Sequence, residues 1–282
     1  MRTLPFTKMH GAGNDYVYVD AFDADVAARL DALDVPELAR RVSNRNFGVG
    51  SDGLIVLARP TRAGAACAMR MWNADGSRGQ MCGNGLRCLA KLAHDRGRVA
   101  GDELVVETDS GARRVSLVRE GGRIALVRAD MGSVEVQLSP LRIVAAARPI
   151  DLFLARTGNP HAVTFVPDVE KAPVMEVGAA LQSHEAFPDG VNVEFVQVLG
   201  PDTLAQRTFE RGSGETLACG TGACAAAVVA LTTGKATGAS VRVRLRGGDL
   251  TITRNGDSVE LEGPAVTVFE GELDLVALGV AV

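Results

Sequence analysis

Short apolar runs closed by turn residues set the pattern along most of this chain. Leu54-Ile-Val-Leu57 and Leu104-Val-Val-Glu-Thr108 predict strands. Arg114-Val-Ser-Leu-Val-Arg119, then Glu120-Gly-Gly122, then Arg123-Ile-Ala-Leu-Val-Arg128 predict a hairpin. A second cluster of hairpins is predicted from Val241 to about Val268, turning at Arg246-Gly-Gly-Asp249 and Asn255-Gly256. Helical spacing is rarer. Pro36 to Ser43 suits a short helix opening on proline. Leu86, Leu89, Ala90, Leu92 and Ala93 fall on one helical face, as do Ala223, Ala226, Ala227, Ala230 and Leu231. Gly97 and Gly234 are their expected ends.

Both of these helices follow a cysteine, and the chain repeats itself around them. Cys82-Gly-Asn-Gly85 is echoed by Cys219-Gly-Thr-Gly222. Nine residues upstream lie Asn73 and Glu210, and further upstream Gly13-Asn14 and Gly158-Asn159, each leading into an apolar run. The parallels predict two similar halves meeting near residues 125–135. The first would span 1–128 and carry Cys82; the second would span 129–269 and carry Cys219. A C-terminal tail from about residue 270 to 282 would return to the first half. The expected class is α+β (mixed α/β): two pseudo-symmetric halves, each a strand-rich layer wrapped around a central helix.

Composition narrows the function. At 282 residues with 46% hydrophobic and 23% charged residues, the chain has ample material for a globular core. A net charge of -4 and 4% aromatic residues leave neither a basic footprint nor stacking platforms for nucleic acid. No apolar run has the length of a membrane span, and the start lacks the apolar centre of a signal peptide. The expectation is a cytoplasmic protein with no nucleic-acid or membrane partner. Five cysteines without framework spacing argue against structural disulfides, and no Cys-x-x-Cys pair or nearby histidine supports zinc.

Two motif matches fail on context. Gly48-Val-Gly-Ser-Asp-Gly53 has dinucleotide-fingerprint letters, but a helical segment precedes it and a strand follows, the reverse of what that loop needs. Thr233-Gly-Lys-Ala236 lacks the upstream glycine and the hydroxyl of a phosphate loop.

The cysteine junctions carry the chemistry. Ser, Thr, Asp or Asn caps a helix better than a thiol does. A helix N-terminus favours negative charge and is expected to lower a thiol from about 8.5 toward neutrality. One such cysteine could be a buried filler; two in matched Cys-Gly-x-Gly settings point to function. The N–H groups of Gly83-Asn84 and Gly220-Thr221 could cradle a carboxylate from two sides. The thiols would then flank the attached carbon. Inverting a stereocentre needs a base on one face and an acid on the other, roles a thiolate and a thiol can exchange. Cys88 and Cys224 are expected to be packing residues, and Cys67 carries no chemistry.

Met9-His-Gly-Ala-Gly-Asn-Asp-Tyr16, Asn73-Ala-Asp-Gly76, Met81-Cys-Gly-Asn-Gly-Leu-Arg87, Gly158-Asn-Pro-His161, Gly190-Val-Asn-Val193 and Glu210-Arg-Gly-Ser-Gly-Glu-Thr216 through Cys219-Gly-Thr-Gly222 together resemble diaminopimelate epimerase. The resemblance implies an enzyme interconverting LL- and meso-diaminopimelate without a cofactor, in lysine and cell-wall precursor synthesis. It also implies an active site between two halves and a homodimer. It assigns proton transfer to Cys82 and Cys219, and the reacting carboxylate to the backbone at Gly83, Asn84, Gly220 and Thr221. Asn14, Asn73, Asn159, Asn192 and Arg211 would hold ammonium and carboxylate groups, with Glu210 accepting from an ammonium. His161 and Glu210 resemble residues that tune the thiols. Gly53 stands where many members carry glutamine, so that contact is absent. The alternatives are a proline or hydroxyproline racemase with the same thiol pair, or a thiol redox or metal-sensing protein. A Schiff-base cofactor is not expected from the four lysines, Lys8, Lys91, Lys171 and Lys235.

Overall fold

The computed structural model describes residues 3–281. Two compact units emerge: one runs up to Ala129 and resumes from Pro264, and the other spans Asp130–Gly263.

The first unit begins with a hairpin, β1 (Thr3–Gly11) and β2 (Asn14–Asp20), followed by helices α1 (Ala24–Asp31) and α2 (Val35–Ser43). Strands β3 (Gly53–Ala58), β4 (Cys67–Asn73) and the two-residue β5 (Arg78–Gly79) lead into α3 (Gly83–Asp95). Strands β6 (Glu103–Thr108), β7 (Gly111–Glu120) and β8 (Arg123–Ser133) follow. Helix α2 starts one residue ahead of Pro36 because Asp34 caps it, accepting from the Glu37 N–H at 3.1 Å. Its apolar face buries Leu38, Ala39 and Val42 beside Leu4, Val17, Val19, Leu54 and Val56. Each such aliphatic side chain contributes about 1.5–3 kcal/mol on burial.

The second unit repeats this order. It comprises β9 (Glu135–Val136), β10 (Leu141–Ala145), β11 (Arg148–Thr157), β12 (Asn159–Phe165) and α4 (Val174–Gln182). Then come β13 (Asn192–Gly200), β14 (Thr203–Glu210), β15 (Gly214–Thr216) and α5 (Gly220–Thr232). It closes with β16 (Ser240–Leu245), β17 (Gly248–Asn255) and β18 (Ser258–Gly263). The final strand, β19 (Val266–Asp274), does not extend that hairpin cluster; it pairs antiparallel with β1. The return to the first unit therefore begins ahead of residue 270, and the predicted hairpins end at Gly263 rather than Val268.

Pairing makes the repeat explicit. β2 runs parallel to β3 as β12 does to β13, and β4 runs parallel to β6 as β14 does to β16. Parallel neighbours need a long crossover, supplied in the first unit by α1 with α2 and by α3, and in the second by α4 and by α5. Register sets Val17 beside Leu54 and Ala162 beside Val193, so Ile55 and Glu194 occupy matching places on β3 and β13. Helix α5 is apolar on every side and buried from Ala223 to Ala230, as a central helix must be. Both helices start hard against a strand. A Cβ on Gly85 would lie 2.6 Å from Ile55 Cδ1, and one on Gly222 would lie 2.6 Å from Glu194 Oε1. Glycine is required there because the backbone itself is the packing surface.

Candidate active site

Cys82 and Cys219 are the N-cap residues of α3 and α5, both in extended backbone conformation. Each sulfur receives a backbone N–H from the last glycine of its motif, three residues on. The Gly85 N–H reaches Cys82 Sγ at 3.5 Å, and the Gly222 N–H reaches Cys219 Sγ at 3.3 Å. Sulfur thus stands where a cap oxygen normally would.

In the first unit the Cys82 thiol donates to Asn14 Oδ1 at 3.2 Å, and Asn84 Nδ2 donates to the same oxygen at 3.4 Å. Asn84 is buried, and its Oδ1 accepts from Arg87 Nη2 at 3.0 Å. Asn14 Nδ2 donates to Asp52 Oδ2 at 2.6 Å. Burial raises the Tyr16 phenol well above its ordinary range, and the charge of Cys82 and a hydrogen bond with it add to the rise. Asn73, at the end of β4, donates to Ser77 Oγ at 2.9 Å. At Gly53 there is no room for a side chain: a Cβ would stand 2.2 Å from the Trp72 carbonyl oxygen. The missing glutamine is therefore excluded by the local backbone of this chain.

In the second unit Cys219 is 5% exposed, and Thr221 Oγ1 lies 3.5 Å from its sulfur. Burial, then the charges of Glu210 and Glu194, push this thiol well above its ordinary value, against hydrogen bonds from Thr221 and the Gly222 N–H. The expectation that a helix start lowers both thiols thus fails for Cys219. Desolvation and two nearby carboxylates outweigh the favourable N–H groups. The protonated form of Cys219 is thereby favoured. Glu210 Oε1 accepts from Thr216 Oγ1 at 2.5 Å. His161 is fully buried, with Nδ1 2.8 Å from Glu194 Oε1 and Nε2 3.0 Å from Asn159 Oδ1. Asn159 also accepts from Thr157 Oγ1 at 3.3 Å. The buried Asn192 is engaged by backbone: its Nδ2 donates to the Pro160 carbonyl and its Oδ1 accepts from the Arg211 N–H, both at 3.0 Å. Arg211 Nη1 reaches the Asp189 carbonyl at 3.1 Å, which ties the loop after β14 to the turn before β13.

The remaining thiols are packing groups. Burial drives Cys67 up to about 12 and Cys88 to about 11, so neither ionises near neutrality. Cys224 is wholly buried. Among the described residues no cluster of His, Cys, Asp and Glu could hold a metal ion, and no helix is long and apolar enough to cross a membrane.

Three residues beside the thiols were not picked out from sequence. Asp52 lay within a glycine-rich turn set aside as a failed fingerprint. Tyr16 belonged to a quoted motif with no role attached. Glu194 was hidden in the strand Asn192-Val-Glu-Phe-Val196. A carboxylate inside an otherwise apolar strand was the available signal, because fully buried Glu is rare without a partner. Glu194 is completely buried, and its Oε2 has no hydrogen-bond partner among the described residues.

Comparison with known proteins places this arrangement in a family. The profile described as Diaminopimelate epimerase matches residues 6–137 and 153–274. The diaminopimelate epimerase of Moorella thermoacetica is 44% identical over 286 residues, covering 96% of this chain and all of the relative. That of Geobacillus thermodenitrificans is 43% identical, covering 96% and 97% respectively. Among solved structures, a hydroxyproline epimerase from Agrobacterium vitis superposes with a TM-score of 0.72 at 18% identity, over 97% of this chain and 93% of that one. A Bacillus anthracis phenazine biosynthesis protein gives 0.72 at 15% identity, over 97% and 99%. At such identities these two neighbours establish the shared fold and nothing about substrate. Near-complete coverage at above 40% identity settles kinship: this chain belongs to the diaminopimelate epimerase family and is an isomerase.

Proposed function

We propose that this chain interconverts LL- and meso-2,6-diaminopimelate by moving a proton through the α carbon with two thiols, Cys82 and Cys219, and no cofactor. The observation that carries this reading is the matched pair of helix N-caps. The same cysteine, with the same following glycines, ends the same strand-to-helix connection in each repeat. In one direction a thiolate takes the α proton while the other sulfur, protonated, delivers its own to the opposite face. The C–H bond broken and the C–H bond formed lie on one carbon, and the two cysteines exchange protonation states. The raised thiol of Cys219 suits it to be the donor in the first such turnover.

Gly83 and Asn84, with Gly220 and Thr221, offer main-chain N–H groups at helix starts, a chemistry suited to the carboxylate on the reacting carbon. Asn14, Asn73, Asn159, Asn192, Glu210 and Arg211 are assigned to the ammonium and carboxylate groups of the substrate. The hydrogen bonds of Asn192 give it a share in shaping the Arg211 loop as well. Glu210 bears on Cys219 by its charge, and His161 acts through Glu194. The protein is proposed to act in the cytoplasm as a homodimer, within lysine and peptidoglycan precursor synthesis. The names borne by the similar proteins support the substrate over proline or hydroxyproline.

The test is turnover of LL-diaminopimelate in heavy water. Product meso isomer should carry deuterium at the inverted carbon, because the donor thiol exchanges with solvent. Cys82→Ala and Cys219→Ala should each abolish inversion. Protium retained through many turnovers, or inversion surviving either replacement, would refute the two-thiol scheme.

A further inference from the structure

A hydrogen bond to the thiol form of a cysteine favours keeping its proton, whereas a donor aimed at the sulfur favours the thiolate. A side-chain amide can do either, depending on which end faces the sulfur. At Cys82 that end belongs to Asn14, and its direction is imposed from behind. Both oxygens of Asp52 act as acceptors. Oδ2 takes Asn14 Nδ2 at 2.6 Å and the Asp15 N–H at 3.0 Å, while Oδ1 takes Arg45 Nη2 at 3.0 Å. Arg45 also grips Asp15 at 2.8 Å, and Lys8 binds Asp15 and the Gly50 carbonyl, so the carboxylate has little freedom to leave. With the amide nitrogen claimed by Asp52, only Oδ1 can face Cys82 Sγ, 3.2 Å away. Asn84 Nδ2 points at the same oxygen, which the reversed amide would meet donor to donor.

We propose that Asp52 is a positioning residue that locks the Asn14 amide as an acceptor toward Cys82, so that Cys82 keeps its proton until substrate displaces the contact. The thiolate then forms only as substrate enters, its proton passing to water, which shields the sulfur of the free enzyme from stray alkylation. The role deepens the two-thiol reading and rests on it for its purpose. Its test does not, because it needs no substrate.

Iodoacetamide labelling of the full chain, followed peptide by peptide by mass spectrometry from pH 6 to 10, reads the thiolate fraction of Cys82 directly. The charged groups facing the site are Lys8, Asp15, Arg45 and Asp52, with the Tyr16 phenol against the sulfur. In Asp52→Ala only the long 3.4 Å contact from Asn84 opposes turning the amide nitrogen to the sulfur, and Cys82 should label about tenfold faster at neutral pH, the equivalent of one unit in its titration midpoint. Asp52→Asn keeps an acceptor oxygen for Asn14 and should label within about twofold of the parent. Loss of charge alone would accelerate both variants alike, so equal rates in the two would overturn the proposal. So would an unchanged rate in Asp52→Ala. Parallel acceleration of the buried Cys67 would also overturn it, by marking loosened structure instead of a turned amide.

Discussion

Replacing Gly222 by alanine tests the contact between the start of α5 and the buried carboxylate behind it. The new Cβ would stand 2.6 Å from Glu194 Oε1 and 3.2 Å from Cys219 Sγ, where ordinary contacts begin at 3.4 Å. The carboxylate must give way by about 0.8 Å. A shift of that size takes its 2.8 Å contact with His161 Nδ1 out of hydrogen-bonding range. Losing a buried hydrogen bond to a charged group costs about 1.5–3 kcal/mol, against which alanine returns about 1 kcal/mol of helix propensity. The net destabilisation should be about 0.5–2 kcal/mol, read as a lower urea midpoint at unchanged slope by circular dichroism. Epimerisation should fall at least tenfold, because Cys219 is crowded as well. The decisive arm is a double-mutant cycle with Glu194→Ala, which removes the atom being struck. In that background Gly222→Ala should become neutral or slightly stabilising. If alanine at 222 costs the same whether or not Glu194 is present, the carboxylate is not what requires the glycine, and the reasoning fails.

Two further outcomes follow from the first unit. Glu107 accepts from Arg70, from Thr61 and from the Arg62 N–H, bonds that pull its carboxyl down to about 2. A depressed acid contributes stability above its unfolded value of 4.5, and that stability drains away as pH falls toward about 2. Glu107→Gln should cost about 2 kcal/mol at neutral pH and flatten the acid limb of a stability–pH curve; an acid limb unchanged in the variant would refute this. Gly53→Gln should destabilise the chain and leave activity lower, since its Cβ meets the Trp72 carbonyl at 2.2 Å. A gain in kcat/KM would show that the local backbone moves more easily than its packing implies.

Much of this was readable from residue order because the repeat is written in local signals. Cys-Gly-x-Gly marks a helix start in each unit, and Gly-Asn marks a strand start, so Cys82, Cys219, Asn14 and Asn159 announce themselves. Long-range effects did not. The upward push on Cys219 comes first from burial and then from Glu210 and Glu194, 9 and 25 positions upstream, and only folding tells that a thiol at a helix start is also buried beside acids. Asp52 was passed over for a related reason: in a glycine-rich turn its meaning depends on Asn14, 38 residues earlier. The destination of β19 was equally hidden, because alternating residues name a strand without naming its neighbour.

That destination has a consequence for how the molecule is made. Along β1, Thr3 to His10 find partners on Asp274 to Val266, a segment that follows them by more than 250 residues. During synthesis the second unit is complete, from Asp130 to Gly263, while the first still lacks an edge strand. A nascent chain therefore carries an open, hydrogen-bond-hungry border along β1 until β19 has been made. A chain cut between Gly263 and Val266 would keep the second unit whole and leave β1 without its β19 partner.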